Sequence, residues 1–300
     1  MPNTHCPDWA TALLNGFSQI FLQRHPLCGL LCLLAILLSA PALFGGALLG
    51  GVAGLLTAQR RGYAKVDRQA GLFSYNGILL GLLLSLALPW SVLLPPLIIA
   101  SGGLSAMLVQ QWLTRTRHPR CLPAYTAPFV GLGWLLLSFA PPASPPLSVD
   151  LTMPNLLAAP LNGLGQVMFL DHPLAGALIA AGLLLANRRA AGWALIGSAM
   201  GLAFALLHHE HAVALSGLGG YNPVLVALAL SQQHRRPWLP GMGIFLAAML
   251  APGFIALGLA PLTAPFILAC WLIQATGRAW HQASLDAAPC ARRGNHPRLR

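Results

Sequence analysis

Charge is what this chain has least of. Only 8% of its 300 residues are charged, whereas a soluble domain typically carries about 25%. That scarcity excludes an ordinary water-facing fold. With 56% hydrophobic residues and a mean hydropathy of +0.68, most of the surface must be solvated by lipid. Acidic residues are rarer still, 6 against 17 basic ones. Such an excess can mark a nucleic-acid partner, but here the basic residues sit in short clusters between apolar runs rather than along one face, which excludes that reading. Cysteine is sparse and scattered, at positions 6, 28, 32, 121, 270 and 290. No CxxC pair or Cys/His spacing points to zinc or to a disulfide framework, and no cofactor is expected. The first residues lack the charged start and short apolar core of a cleavable signal, so insertion is expected to rely on the first spans themselves.

Apolar runs are what the chain has in abundance. They predict membrane helices over Pro26–Ala40, Ala42–Ala58, Leu72–Leu88, Pro95–Leu113 and Pro123–Ala140, then, beyond a Pro/Ser-rich linker at Pro141–Asp150, over Pro173–Ala186, Ala191–Leu207, Gly219–Ser231, Leu239–Ile255 and Pro261–Trp280. Two shorter segments, Trp9–Leu22 and Leu156–Leu170, contain Asn, Gly and Gln and read as re-entrant half-helices. With the N-terminus in the cytoplasm, ten crossings put all 17 basic residues on one side, from Arg24 and the Arg60–Arg68 cluster through Arg278 to Arg300. The positive-inside rule asks for this bias. The expected fold is therefore an all-α integral membrane protein, ten transmembrane helices plus two half-helices, in a cell (inner) membrane with both termini cytoplasmic.

The chain also repeats itself. Gln19 and His25-Pro26-Leu27 recur as Gln166 and His172-Pro173-Leu174, a shift of 147 residues. Gly50 and Gly54 return as Gly197 and Gly201, and Tyr75-Asn76 as Tyr221-Asn222. Thr126-Ala127-Pro128-Phe129 returns as Thr263-Ala264-Pro265-Phe266. Conserved order over the whole length divides the chain into a first repeat (1–140), a linker (141–153), a second repeat (154–286) and a basic cytoplasmic tail (287–300). Five crossings per repeat, an odd number, invert one against the other. In such folds a solute site lies near the midplane, where the repeats meet. The glycines from Gly45 to Gly54 are expected to permit close helix contact.

The segment Leu122-Pro123-Ala124-Tyr125-Thr126-Ala127-Pro128-Phe129 resembles the Leu-Pro-x-x-Thr-x-Pro-Phe signature of the urea transporter family, and Leu259 to Phe266 repeats it with Ala260 in place of the proline. Tyr75 to Leu82, Gly165 to Phe169 and the His-Pro-Leu helix starts are also similar to that family. The resemblance implies a homotrimer in membrane lipid, with one pore and selectivity filter within each protomer and urea as its small-molecule substrate. It places Thr126 and Thr263 at the centre of the filter and Gln19 and Gln166 on the half-helices beside a ladder of oxygen atoms. Tyr75, Leu79, Tyr221, Leu225 and Phe169 become flat apolar walls. Leu22 matches Phe169, with Phe21 one place earlier, and Pro223 stands where the first repeat has Gly77.

The physics suits such a solute. Urea is planar, neutral and strongly hydrated, and stripping its water costs several kcal/mol unless new hydrogen bonds replace those lost. Neutral oxygens accept its N–H groups and release them again, which a tight charged site does not. Taken singly, a threonine in a helix commonly bonds its own backbone and a glutamine commonly ties helices together; the doubled motif selects the pore reading. All six acids, Asp8, Asp67, Asp150, Asp171, Glu210 and Asp286, fall in expected loops or at helix ends. Ion-coupled transport normally needs ionisable groups inside the membrane, so passive movement is expected. The alternative cargoes are another small neutral amide, ammonia or water. A water or glycerol channel, however, resembles six crossings and two Asn-Pro-Ala motifs, and here only Asn222-Pro223 occurs, followed by valine. No nucleophile–base constellation lies among the spans, so no enzyme is expected. His208-His209-Glu210-His211 contains metal-ligand residue types but reads as a solvated outer loop, without a counterpart in the first repeat.

Overall fold

The structure is a computed structural model that describes residues 8–115, 122–140, 151–234 and 236–286, with side chains to residue 280. The linker Pro141–Asp150, the basic tail, Cys6, Cys121, Cys290, Arg117, Arg120 and Arg235 lie outside the described residues. Among those described there are fourteen helices and no strand.

The helices form two sets of seven in the same order. The first comprises α1 (Asp8–Gln19), α2 (Pro26–Ser39), α3 (Pro41–Arg60), α4 (Lys65–Gln69), α5 (Tyr75–Ala87), α6 (Leu94–Arg115) and α7 (Ala127–Leu137). The second comprises α8 (Met153–Gln166), α9 (Pro173–Ala186), α10 (Arg188–Leu207), α11 (His211–Ser216), α12 (Tyr221–Gln233), α13 (Trp238–Ala256) and α14 (Ala264–Asp286). The match extends to single backbone angles. Leu22 and Phe169 have φ of 58° and 61°, Tyr125 and Leu262 both 43°, Gly62 and His209 66° and 59°, and Gly71 and Gly217 77° and 83°. Left-handed backbone is uncommon for residues other than glycine, so its return at equivalent leucine, phenylalanine and tyrosine positions marks one design used twice.

Four helices, α3, α6, α10 and α13, are long and apolar enough to cross a membrane. Others are short: α7 has 11 residues, or ~16 Å at 1.5 Å per residue, about half of a hydrocarbon core. Its start differs from the expectation of Pro123, as that of α14 differs from Pro261. Tyr125 and Leu262 are left-handed, φ 43° each, a backbone that no right-handed helix accommodates, so the chain runs non-helical to Thr126 and Thr263. The helix then opens with Pro128 or Pro265 at its second position, where no N–H is needed. The short α4 and α11 were not expected from hydropathy, and each leads through a turn into the N-terminus of a central helix.

The central helices α5 and α12 are buried from Tyr75 to Leu84 and from Asn222 to Ser231. Glycine makes that density possible: a Cβ on Gly50 would lie 2.0 Å from the Gly77 carbonyl oxygen, and one on Gly81 1.9 Å from that of Gly46. The glycines of α3 thus serve close helix contact, as their spacing predicted. The short α4 and α11 are tied to α1 and α8. Asn15 Nδ2 donates to the Gln69 carbonyl at 2.7 Å, and its equivalent Asn162 Nδ2 to that of Leu215 at 3.0 Å. The two sets meet where α2 packs on α9, with Gly182 against Cys28, and at the starts of α7 and α14.

Candidate solute pathway

The short helices α1 and α8 stop in the same way. Gln23 N–H donates to the Ser18 carbonyl and Leu22 N–H to that of Gln19; Leu170 and Phe169 repeat this onto Gly165 and Gln166. This is a Schellman C-cap, whose left-handed residue is usually glycine. Leucine and phenylalanine there accept a cost of roughly 1–2 kcal/mol. A large apolar side chain is thereby fixed at the C-terminal end of α1 and of α8, and strain of this kind gathers at ligand sites. The ambiguity between Leu22 and Phe21 is resolved by geometry: Leu22 shares the backbone of Phe169, while Phe21 is fully buried in the core.

Where α7 and α14 begin, the signature explains itself. Thr126 occupies the N-cap of α7, where a hydroxyl normally accepts from the second or third backbone N–H. The second residue is Pro128, which has none. The third, Phe129, donates to Asn76 Oδ1 of the neighbouring helix at 3.2 Å, so Thr126 makes no capping bond. Phe266 N–H likewise donates to Asn222 Oδ1 at 3.2 Å. Both threonine hydroxyls are therefore free of their own helices. They meet instead: Thr126 Oγ1 and Thr263 Oγ1 stand 2.7 Å apart, each residue 4% exposed. Positions 137 apart in sequence are in hydrogen-bond contact.

The other expected residues lie on or at the ends of α1, α5, α8 and α12. Tyr75 and Leu79 lie one turn apart on α5, and both are buried. Tyr221 and Leu225 take the same places on α12, Tyr221 half-buried. Phe169 stands 6.3 Å, centroid to centroid, from Phe129, the last residue of the first signature. Pro223, at the third position of α12 where α5 has Gly77, falls within the first turn, where its missing N–H does no harm. The glutamines differ. Gln166 Nε2 donates to the Ser216 carbonyl at 3.1 Å, whereas Gln19 Oε1 is buried with no partner among the described residues. The loop His208–His211 is exposed, and no group of three metal-ligating side chains converges among the described residues.

Several residues of the site went unnoticed in the sequence. Asn76 and Asn222 were visible only as landmarks of the repeat. Trp134 and Trp271, each eight residues beyond its threonine, were not singled out. The Trp134 indole donates to the Ala260 carbonyl at 2.8 Å and that of Trp271 to the Pro123 carbonyl at 2.9 Å. Each half thus grips the non-helical signature segment of the other. A polar cluster occurs on one side only: Gln233 Nε2 and Gln274 Nε2 donate to the Tyr125 hydroxyl at 2.9 and 2.8 Å.

A model of the urea transporter family matches residues 10–278. The chain is 27% identical over 278 residues to Urea transporter 1 of Ovis aries and 29% identical over 282 residues to Urea transporter 1 of Rattus norvegicus. Each alignment covers 86% of this chain and 68% of the relative.

Proposed function

The chain belongs to the urea transporter family, and we propose that it passes urea down its gradient through one narrow, uncharged passage within the protomer, with Thr126 and Thr263 at the waist. The family moves a solute and does not transform it. The observation that carries the reading is the buried contact between the two threonine hydroxyls. The groups gathered there are neutral: two hydroxyls, two carboxamides and the backbone of two helix starts. Urea entering the waist exchanges its hydration for these oxygens and for last-turn carbonyls of α1 and α8, each of which can accept a second hydrogen bond beside the one from its cap. Leu22 and Phe169 at the half-helix tips, with Tyr75, Leu79, Tyr221 and Leu225, form the flat walls. An ion finds no charge and too few ligands to replace its water, so it is excluded.

The passage requires ten crossings and two half-helices in inverted halves, in the cell (inner) membrane with both termini cytoplasmic. Two contacts support this topology, because each joins groups it puts on the same side. Lys65 Nζ pairs with Asp8 at 2.7 Å, and Arg189 donates to the His234 carbonyl at 3.2 Å. Assembly as a lipid-embedded homotrimer leaves every passage within its own protomer. Flux of urea into proteoliposomes, with and without an imposed proton or sodium gradient, tests the proposal. Equilibration at a rate independent of either gradient is expected; accumulation of urea above the external concentration refutes it.

A further inference from the structure

Asparagines 76 and 222 hold the same place in the two halves, yet their amides are spent differently. Each Oδ1 accepts from a backbone N–H, that of Phe129 or Phe266, at 3.2 Å. A backbone N–H is a donor only, so this bond fixes the orientation of both amides and leaves each NH2 group facing away from the helix start. In the second half, Asn222 Nδ2 donates to the Leu262 carbonyl at 3.0 Å, beside Thr263. The corresponding carbonyl in the first half belongs to Tyr125, beside Thr126. There the Tyr75 hydroxyl is the donor, so the carbonyl is already engaged. Asn76 is 1% exposed, and its Nδ2 has no partner among the described residues. Buried donors are very rarely left unmade. This one sits at the junction of the two threonines, in only one of two otherwise matching halves.

We propose that the Asn76 carboxamide is the donor that receives the carbonyl oxygen of urea at the waist, and that the Tyr75 hydroxyl keeps it available by occupying the Tyr125 carbonyl. The inference rests on the passive urea passage argued above and deepens it. Half-helix carbonyls accept the N–H groups of urea but do nothing for its oxygen. The threonine pair spends one of its two hydroxyl protons on the bond between them. An amide NH2 supplies two donors without charge, which holds the carbonyl and lets it go. Asn76 is thus a specificity-determining residue, selecting solutes with a strong acceptor at one end of a flat body.

The test compares urea with thiourea, whose sulfur is a weak acceptor, in proteoliposomes containing the full chain. Tyr75→Phe removes the competing hydroxyl and lets Asn76 pair with the Tyr125 carbonyl, as Asn222 does with that of Leu262. The expected result is a roughly three- to ten-fold drop in urea permeability, the worth of about one hydrogen bond. Thiourea permeability changes little and the thermal midpoint stays level or rises, because a buried donor has been satisfied. Asn76→Ala is expected to lower the urea-to-thiourea ratio equally, at some cost in stability, since Phe129 N–H loses its partner. If the Asn76 variant does not fold, Tyr75→Phe decides alone. A wild-type urea-to-thiourea ratio in Tyr75→Phe, or an equal loss for both solutes, overturns the assignment. Wild-type protein that passes no urea instead overturns the passage itself.

Discussion

Replacing the two threonines by valine, singly and together, separates their role in folding from their role in conduction. Thr126 and Thr263 are nearly isosteric with valine, each is 4% exposed, and their hydroxyls are bonded at 2.7 Å. Thr126→Val leaves the Thr263 hydroxyl buried against a methyl group, and an unmade buried polar group costs about 1–3 kcal/mol. Thr263→Val does the same in reverse. The double variant removes both partners together, an exchange that is close to neutral. Stability is therefore expected to fall in each single variant and to recover in the double, a coupling of about 1–3 kcal/mol that thermal unfolding in detergent reads as a double-mutant cycle. Conduction is expected to behave otherwise. Each lost hydroxyl removes about 1 kcal/mol of compensation for the desolvation of urea, so permeability drops roughly five-fold in a single variant and further in the double. A double variant that is stable and passes urea at the wild-type rate would remove both residues from the mechanism.

Other expectations follow from the same geometry. Gly71→Ala should abolish folded protein in size-exclusion chromatography, because a Cβ there lies 2.4 Å from the backbone of Asn15 and Gly16 at φ +77°. Gly62→Ala, at φ +66° with nothing within 4 Å, should cost only about 1 kcal/mol in thermal unfolding. Trp134→Phe and Trp271→Phe should each lose about 1 kcal/mol of stability and by similar amounts, since each deletes one indole bond to the opposite signature segment. An effect confined to one of the pair would contradict their equivalence.

The sequence carried the doubling of the helix order and the kinship of Thr126 with Thr263, whose hydroxyls meet. Both are properties of local pattern: Thr126 and Thr263 stand in the same eight-residue motif, and spacing alone brings such copies into register. The glycines facing across α3 and α5 were legible for the same reason. What pattern could not supply was the partner of each polar group. Asn76 and Asn222 accept from backbone N–H groups 53 and 44 residues away, in the first turns of α7 and α14, so their task exists only once the helices are packed. The indole bonds of Trp134 and Trp271 span 126 and 148 residues and are equally invisible along the chain. Helix starts were misplaced at Pro123 and Pro261 because hydropathy continues through segments that the left-handed Tyr125 and Leu262 keep non-helical. The left-handed leucine and phenylalanine at 22 and 169 run against residue preference, and only the cap hydrogen bonds disclose them.

The crossed tryptophans carry an implication for how such a molecule is put together. Because the indole on α7 secures the segment leading into α14, and the reverse, an isolated seven-helix fragment would present a loose, unanchored half-gate. Severing the connection between α7 and α8 and producing the pieces side by side should therefore restore transport, whereas either piece alone should not.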